Sequence, residues 1–188
     1  MAEWSFPFKS SNGDRMYSDA DFAQYYANFF TTGIIATVGS GLQVKQTAKP
    51  SLNIVLSMGA ANIKGRHYFN TSDKNFVIPA PSTTQARTDS LVIRLNLSNR
   101  SILSVYKTNS TQVVQSEDVF ELQLCTIKVP ANATSISQAN ITDKRSDNKV
   151  CGFSTPFEKL AVGDLMAQYE TQVQEWFNQA KTNVSGMI

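Results

Sequence analysis

Histidine is almost missing from this chain of 188 residues: His67 stands alone, and cysteine occurs only at Cys125 and Cys151. One imidazole and two distant thiols cannot spell a Cys/His metal cluster. His67 would have to be the base of any nucleophile–base arrangement, yet no nucleophile signature accompanies it, so it reads as a surface or turn residue. Charge is scarce as well. Charged residues make up 17% of the chain and the formal net charge is +2, with Lys and Arg scattered, which excludes the basic face that nucleic acid requires. No run of about 18 apolar residues occurs, so no membrane-spanning helix is expected. The opening MAEWSFPFKSS lacks a basic stretch followed by a long apolar one, and no export signal is expected there.

Phosphate chemistry is also unprovided for. Gly39-Ser40-Gly41 has neither the later glycine nor the following helix of a phosphate-cradling loop. Asp14, Asp19 and Asp21 crowd together, but helix-start chemistry accounts for Asp19 and Asp21 without a cation. Glu117, Asp118 and Glu121 supply carboxylates that a glycosidase would need, and acidic residues beside strands are ordinarily solvated faces. No catalytic residue, metal or cofactor is therefore expected, and the chain does not read as an enzyme.

What the chain has is alternation. In Asp89–Lys107, Leu91, Ile93, Leu95 and Leu97 fall two apart, with Ser90, Val92, Arg94 and Asn96 between them. That pattern predicts a strand with one apolar face inward and one mostly polar face outward. Ser98-Asn99-Arg100 predicts a turn, because Asn tolerates left-handed backbone, and Ser101–Lys107 returns as the partner strand. Further strands are expected over Ile34–Val38, Leu42–Gln46, Ser51–Ser57, Ala61–Asn70, Phe76–Pro79 and Asp118–Val129, the last with a bend near Leu124. A short helical turn and a short strand fit Ser135–Asp143. Cys125 lies in an apolar strand, as a small buried thiol would; whether it is bonded to Cys151 stays open.

Three segments differ from this β body. Residues 1–12 read as an arm in which Trp4, Phe6 and Phe8 alternate with Ser5, Pro7 and Lys9, an aromatic face that needs its own domain or a neighbour to lie on. Ser18, with Asp21 three residues on, predicts the start of a helix whose apolar residues Phe22, Tyr25, Tyr26, Phe29 and Phe30 carry it to about Phe30. The last element is a long helix from about Asp164, with Met166, Tyr169, Val173, Trp176 and Ala180 spaced three and four apart and Phe177 widening the seam. A seam of this kind at the end of a chain predicts packing between copies, with a trimer favoured. The expected organisation is an arm (1–12), a β-rich domain (13–150) and a C-terminal helix (151–188).

Several stretches, in order, resemble the baseplate-attachment domain of tailed-phage baseplate and receptor-binding proteins from viruses of Gram-positive bacteria. Gly13-Asp14-Arg15-Met16-Tyr17-Ser18-Asp19-Ala20-Asp21-Phe22 is similar to that family's GDR-x-Y-S-x-x-D-F opening. Arg87–Asn96 resembles its D-x-[IV]-V-[IV]-R-L-D segment, with Asn96 in place of the final Asp. Ala139–Arg145 resembles its I-T-D-x-R stretch, Cys151-Gly152 its CG element, and Phe157 with Ala167-Gln168-Tyr169 to Glu175-Trp176-Phe177 its closing AQY…EWF helix. The resemblance implies a mainly β protein with helices (α+β), its body sandwich-like, with a short N-terminal and a long C-terminal helix. It further implies a structural part of the virion at the phage tail tip, made in the bacterial cytoplasm. Its partners would be other copies and other baseplate or tail proteins, connecting the baseplate to receptor-binding parts for host attachment. No receptor-binding head is expected within these residues. The competing expectation is a saccharide-binding module for host cell wall, using Tyr17, Tyr68 and Tyr106 as stacking faces.

Overall fold

A computed structural model of the chain describes residues 5, 7–156 and 170–179. The chain falls into two compact units, residues 1–156 and 157–188. The first is mainly β, with ten strands in three sheets and every strand pairing antiparallel.

The helix α1 (Asp19–Ala27) begins with Ser18 as cap: the Asp21 N–H donates to Ser18 Oγ at 3.3 Å, and Asp21 Oδ2 accepts from the Ser18 N–H at 2.7 Å. These bonds satisfy donors that a helix start leaves open, and Asp19 and Asp21 complement its positive end. The helix stops at Ala27, short of the expected Phe30. Asn28 is its C-cap, and the Phe29 and Phe30 N–H groups both turn back to the Tyr26 carbonyl.

One three-stranded sheet contains β1 (Gly33–Ile35), β4 (Gly59–Ile63) and β5 (Arg66–Asn70), in the order β1-β4-β5. The single strand expected over Ala61–Asn70 is thus a hairpin. Lys64 and Gly65 both take left-handed backbone, with φ of 50° and 76°, the two-residue turn that matches strand twist. Gly59 opens β4 opposite Asn70. A second sheet pairs β2 (Val44–Gln46), β3 (Asn53–Leu56) and β6 (Lys74–Val77) in the order β2-β3-β6. Leu42 does not begin β2, because its φ of 56° places it in the preceding turn.

The largest sheet is four-stranded, β10-β9-β7-β8, built from β7 (Arg87–Asn96), β8 (Ser101–Lys107), β9 (Val119–Val129) and β10 (Ile141–Asp143). The expected β7–β8 hairpin is present, from Ser90↔Lys107 to Asn96↔Ser101. In its turn Arg100 takes the left-handed conformation, while the Asn99 N–H donates to Asn96 Oδ1 at 2.8 Å. The bend in β9 is a bulge: Leu91 faces Cys125 and Val92 faces Gln123, leaving Leu124 as the extra residue. A 3₁₀ turn (Gln138–Asn140) leads into β10.

One hydrophobic core joins the sheets, with Ile34, Val44, Ile54, Leu56, Ile63, Leu91, Ile93, Leu95, Leu122, Leu124 and Ile127 among its members. Cys125 and Cys151 lie in it unbonded. Residues 151–156 belong to this unit too. The Ile34 N–H donates to the Gly152 carbonyl at 2.9 Å, and the Ser154 N–H donates to the Ile34 carbonyl at 2.8 Å.

In the second unit, residues 170–179 form a helix, α2.

Candidate functional site

Two features carry more than fold: a charged cluster under a loop, and an open apolar cleft beside α1. The even-numbered face of β7 was expected to meet solvent, yet Ser90 and Val92 are fully buried. Residues 108–118 cross over this face. Ser90 Oγ donates to the Ser110 carbonyl at 2.7 Å, Gln123 Nε2 to the Thr111 carbonyl at 3.0 Å, and Lys107 Nζ to the Gln112 carbonyl. Glu121 lies beneath the loop with no exposed surface. Its carboxylate accepts from Arg94 Nη2 at 2.6 Å, Lys107 Nζ at 2.8 Å and the Val114 N–H at 2.9 Å. Burial acts to raise its pKa, but the bonds from Lys107, Val114 and Arg94 outweigh burial and hold it below the ordinary carboxylate value.

At the other end of β7, Asp89 is equally buried. It accepts from Arg87 Nε at 3.1 Å, from Tyr106 Oη at 2.6 Å and from the Asn109 N–H at 2.6 Å. Burial first, then the Asp89 carboxylate, pushes the Tyr106 hydroxyl well above its usual range. Tyr106 is therefore a half-buried anchor with its hydroxyl committed, and Tyr17 is likewise engaged, its Oη accepting from the Phe8 N–H at 3.1 Å. Tyr17, Tyr68 and Tyr106 are all half-buried.

Several residues of the stretches quoted above pin the fold. Asp89 and Arg94 organise the two buried clusters. Arg145 Nη2 bonds Asp143 Oδ2 at 2.6 Å, while its Nη1 donates to the Ser40 and Gly41 carbonyls at 3.1 and 2.8 Å, tying the segment after β10 to the turn before β2. Gly152, next to Cys151, takes a φ of 84° that a side chain would resist.

These pins set the pH response. Asp143, like Glu121, is held below the ordinary range: burial opposes this, and the Arg145 bonds prevail. A carboxylate with a depressed folded pKa stabilises above its unfolded value and loses that contribution as pH falls through the folded one. The thiols behave oppositely. Burial pushes Cys125 and Cys151 up to about 12, so their contribution is full below the unfolded thiol value and is lost as pH rises toward the folded one. The expected Tm is flat from about pH 5 to about pH 8, falling below about pH 4 and again above about pH 9. Calorimetric scans across pH check this, and Glu121→Gln should flatten the acid limb.

The cleft beside α1 encloses about 850 Å³. Phe22, Tyr26 and Phe30 line it from α1 and the turn that follows, Ile35 and Ala36 from the end of β1, and Pro156 from the segment beyond β10. The helix packs on the β4–β5 turn by close backbone approach: the Ala23 carbonyl lies over Gly65, where no Cβ would fit. Asn62 Nδ2 donates to the Phe30 and Thr31 carbonyls at 3.3 and 3.0 Å, holding the Phe30 turn at the rim. At the other end Arg66 Nη2 bonds Asp19 Oδ2 at 2.9 Å, and this bond, against slight desolvation, lowers the Asp19 pKa.

No protein-family model, curated protein or solved structure matches this chain.

The cleft's lining is largely apolar and aromatic, with a few polar side chains at its edges. His67, Ser154 and Asp19 all line it, but they form no relay. Ser154 Oγ donates to the Thr31 carbonyl at 2.7 Å and Asp19 is taken up by Arg66, neither being bonded to His67. No grouping of His, Cys, Asp and Glu among the described residues could hold a metal ion. The sequence held a signal for this cleft that alternation alone does not expose. Phe22, Tyr26 and Phe30 recur at four-residue spacing beside a second aromatic set, Tyr25 and Phe29, and a short helix cannot press both sets onto one sheet.

Of the expected oligomer seam, Val173, Trp176 and Phe177 lie on α2. They are 62%, 68% and 58% exposed, on one face by their three- and four-residue spacing. Met166, Tyr169 and Ala180 lie outside the described residues. No helix among the described residues is long and apolar enough to cross a membrane.

Proposed function

We propose that this protein is a structural component of a phage tail tip, assembling as a homo-oligomer, trimer favoured, and joining the baseplate to receptor-binding parts. In this reading the three sheets form a sandwich-like body for attachment, and α2 gathers the copies. The ordered motif resemblance supports the virion assignment. The observation that carries assembly is the apolar face of α2, where Val173, Trp176 and Phe177 stand well over half exposed in the single chain. Withdrawing such side chains from water contributes about 1.5–3 kcal/mol each, a drive that a partner helix would capture.

Light scattering on the full chain should give three times the 20.8 kDa chain mass. A chain stopped at Asp164 should give the single mass. Trp176→Ala should weaken association by about 30-fold or more, as a central aromatic anchor does. A full chain that scatters as a monomer at all concentrations defeats the proposal.

A further inference from the structure

The cleft beside α1 adjoins the outer edge of β5: Gly65, Arg66 and His67 line it, and β5 is the last strand of its sheet. We infer that cleft and edge together seat an extended, uncharged segment of a partner polypeptide, with a tryptophan or tyrosine side chain entering the cleft.

The floor supplies the first argument. Asn62 is 7% exposed, and both Nδ2 hydrogens are spent on the Phe30 and Thr31 carbonyls. Its Oδ1 accepts from no described residue. Among the described residues every side-chain polar atom sealed from water has a partner, so Oδ1 keeps open surface. The cleft that Asn62 lines provides that surface. An amide oxygen held this deep calls for a hydrogen-bond donor. Around it Phe22, Tyr26 and Phe30, each nearly half exposed, call for an apolar ring. An indole with its N–H, or a phenol with its O–H, meets both demands. Charge agrees: Asp19 and Arg66 are the charged groups of the lining, and their bond at 2.9 Å leaves the mouth formally neutral. A charged occupant would gain nothing there.

The edge argues for a polypeptide. Lys64-Gly65 is a two-residue turn, so Ile63 and Arg66 exchange ladder bonds, and His67 and Phe69 aim their backbone groups away from β4. No hydrogen bond among the described residues uses those outward groups. His67 stands opposite Asn62, so both side chains share the cleft side of the sheet. Phe69 follows on that side and is 52% exposed. An added strand would take up the backbone of His67 and Phe69, with alternate side chains falling over the cleft and over Phe69. The inference concerns the body alone and stands whether or not copies associate through α2.

Titration calorimetry on the full chain, with acetyl-Ser-Trp-Ser-amide as the probe, tests this. The peptide should bind at one site per chain with a Kd of about 1 mM or tighter. Methylating its indole nitrogen removes that donor alone and should weaken binding about 5-fold or more. Methylating its backbone amides should cost as much, by removing the strand bonds. Ala36→Leu, which fills the cleft from an exposed position, and Tyr26→Ser should each weaken binding about 10-fold or more, with far-ultraviolet dichroism unchanged. Absence of saturable binding up to about 10 mM overturns the inference. So does binding indifferent to indole methylation or to both cleft variants. Indifference to backbone methylation would make the occupant a free aromatic molecule and ends the polypeptide assignment. A fall in molar mass by light scattering when the peptide is added would put a second copy in the seat, which equally overturns it.

Discussion

Glu121→Ala is expected to destabilise the β body by about 3–5 kcal/mol, the cost of removing one partner from a buried charge cluster. The carboxylate has no contact with water and answers two cations at 2.6 and 2.8 Å and one backbone N–H at 2.9 Å. Without it, Lys107, 13% exposed, faces Arg94 across the vacated site, and the Val114 N–H loses its acceptor. The loop over the sheet then loses one of its ties. Urea unfolding followed by dichroism measures the loss. Replacing all three side chains together, as Glu121→Leu with Arg94→Met and Lys107→Met, should recover most of the stability, since apolar packing can stand in for a buried ionic cluster. If Glu121→Ala costs less than about 1 kcal/mol, the value of an exposed pair, then the cluster is solvated and the loop does not seal it.

The second large effect belongs to Gly65. An added Cβ would lie 1.8 Å from the Ala23 carbonyl oxygen and 2.7 Å from its carbon, both backbone atoms of α1. Backbone cannot rotate aside as a side chain would, so the whole helix must move. The φ of 76° adds strain of about 1–2 kcal/mol for a residue with a Cβ, and overpacking about 1–3 more. Gly65→Ala should therefore cost about 2–5 kcal/mol in thermal or urea unfolding. It should also alter the near-ultraviolet dichroism of Tyr25 and Tyr26, whose rings meet edge-on at 5.6 Å. Gly13→Ala is the control. Its φ of 79° is as unfavourable, but nothing lies within 4 Å of the added atom, so it should cost about 1 kcal/mol. Equal costs at the two positions would mean that α1 does not press on the turn.

These two sites show what was legible and what was not. The β7–β8 hairpin was readable because Leu91, Ile93 and Leu95 alternate and the turn is short and local. Its opposite face was misread as solvent because burial of Ser90 and Val92 comes from a loop arriving from residues 108–118, a tertiary event with no period of its own. Glu121 looked like a solvated acid for the same reason. The β4–β5 hairpin was missed because β-favouring residues run on either side of Lys64-Gly65, and a lysine in left-handed backbone is not a signal that composition gives. The end of α1 was overrun because Phe29 and Phe30 keep the helical spacing after the helix has stopped. The cap at Ser18, by contrast, depends on neighbours three residues apart and could be placed from sequence. Of the cleft, the aromatic residues of the helix show in their spacing, and the opposite wall of Ile35, Ala36 and Pro156 does not, since segments distant in sequence assemble it.

Cys125 and Cys151 sit unbonded inside the packed interior, each buried and each reluctant to ionise. Sulfur reacts as thiolate and only where a reagent can touch it. Alkylation at neutral pH must therefore wait for the chain to breathe, and the pace of labelling becomes a clock for that breathing. The molecule contains its own chronometer, one hand in a central strand and the other beside the tail that closes the body.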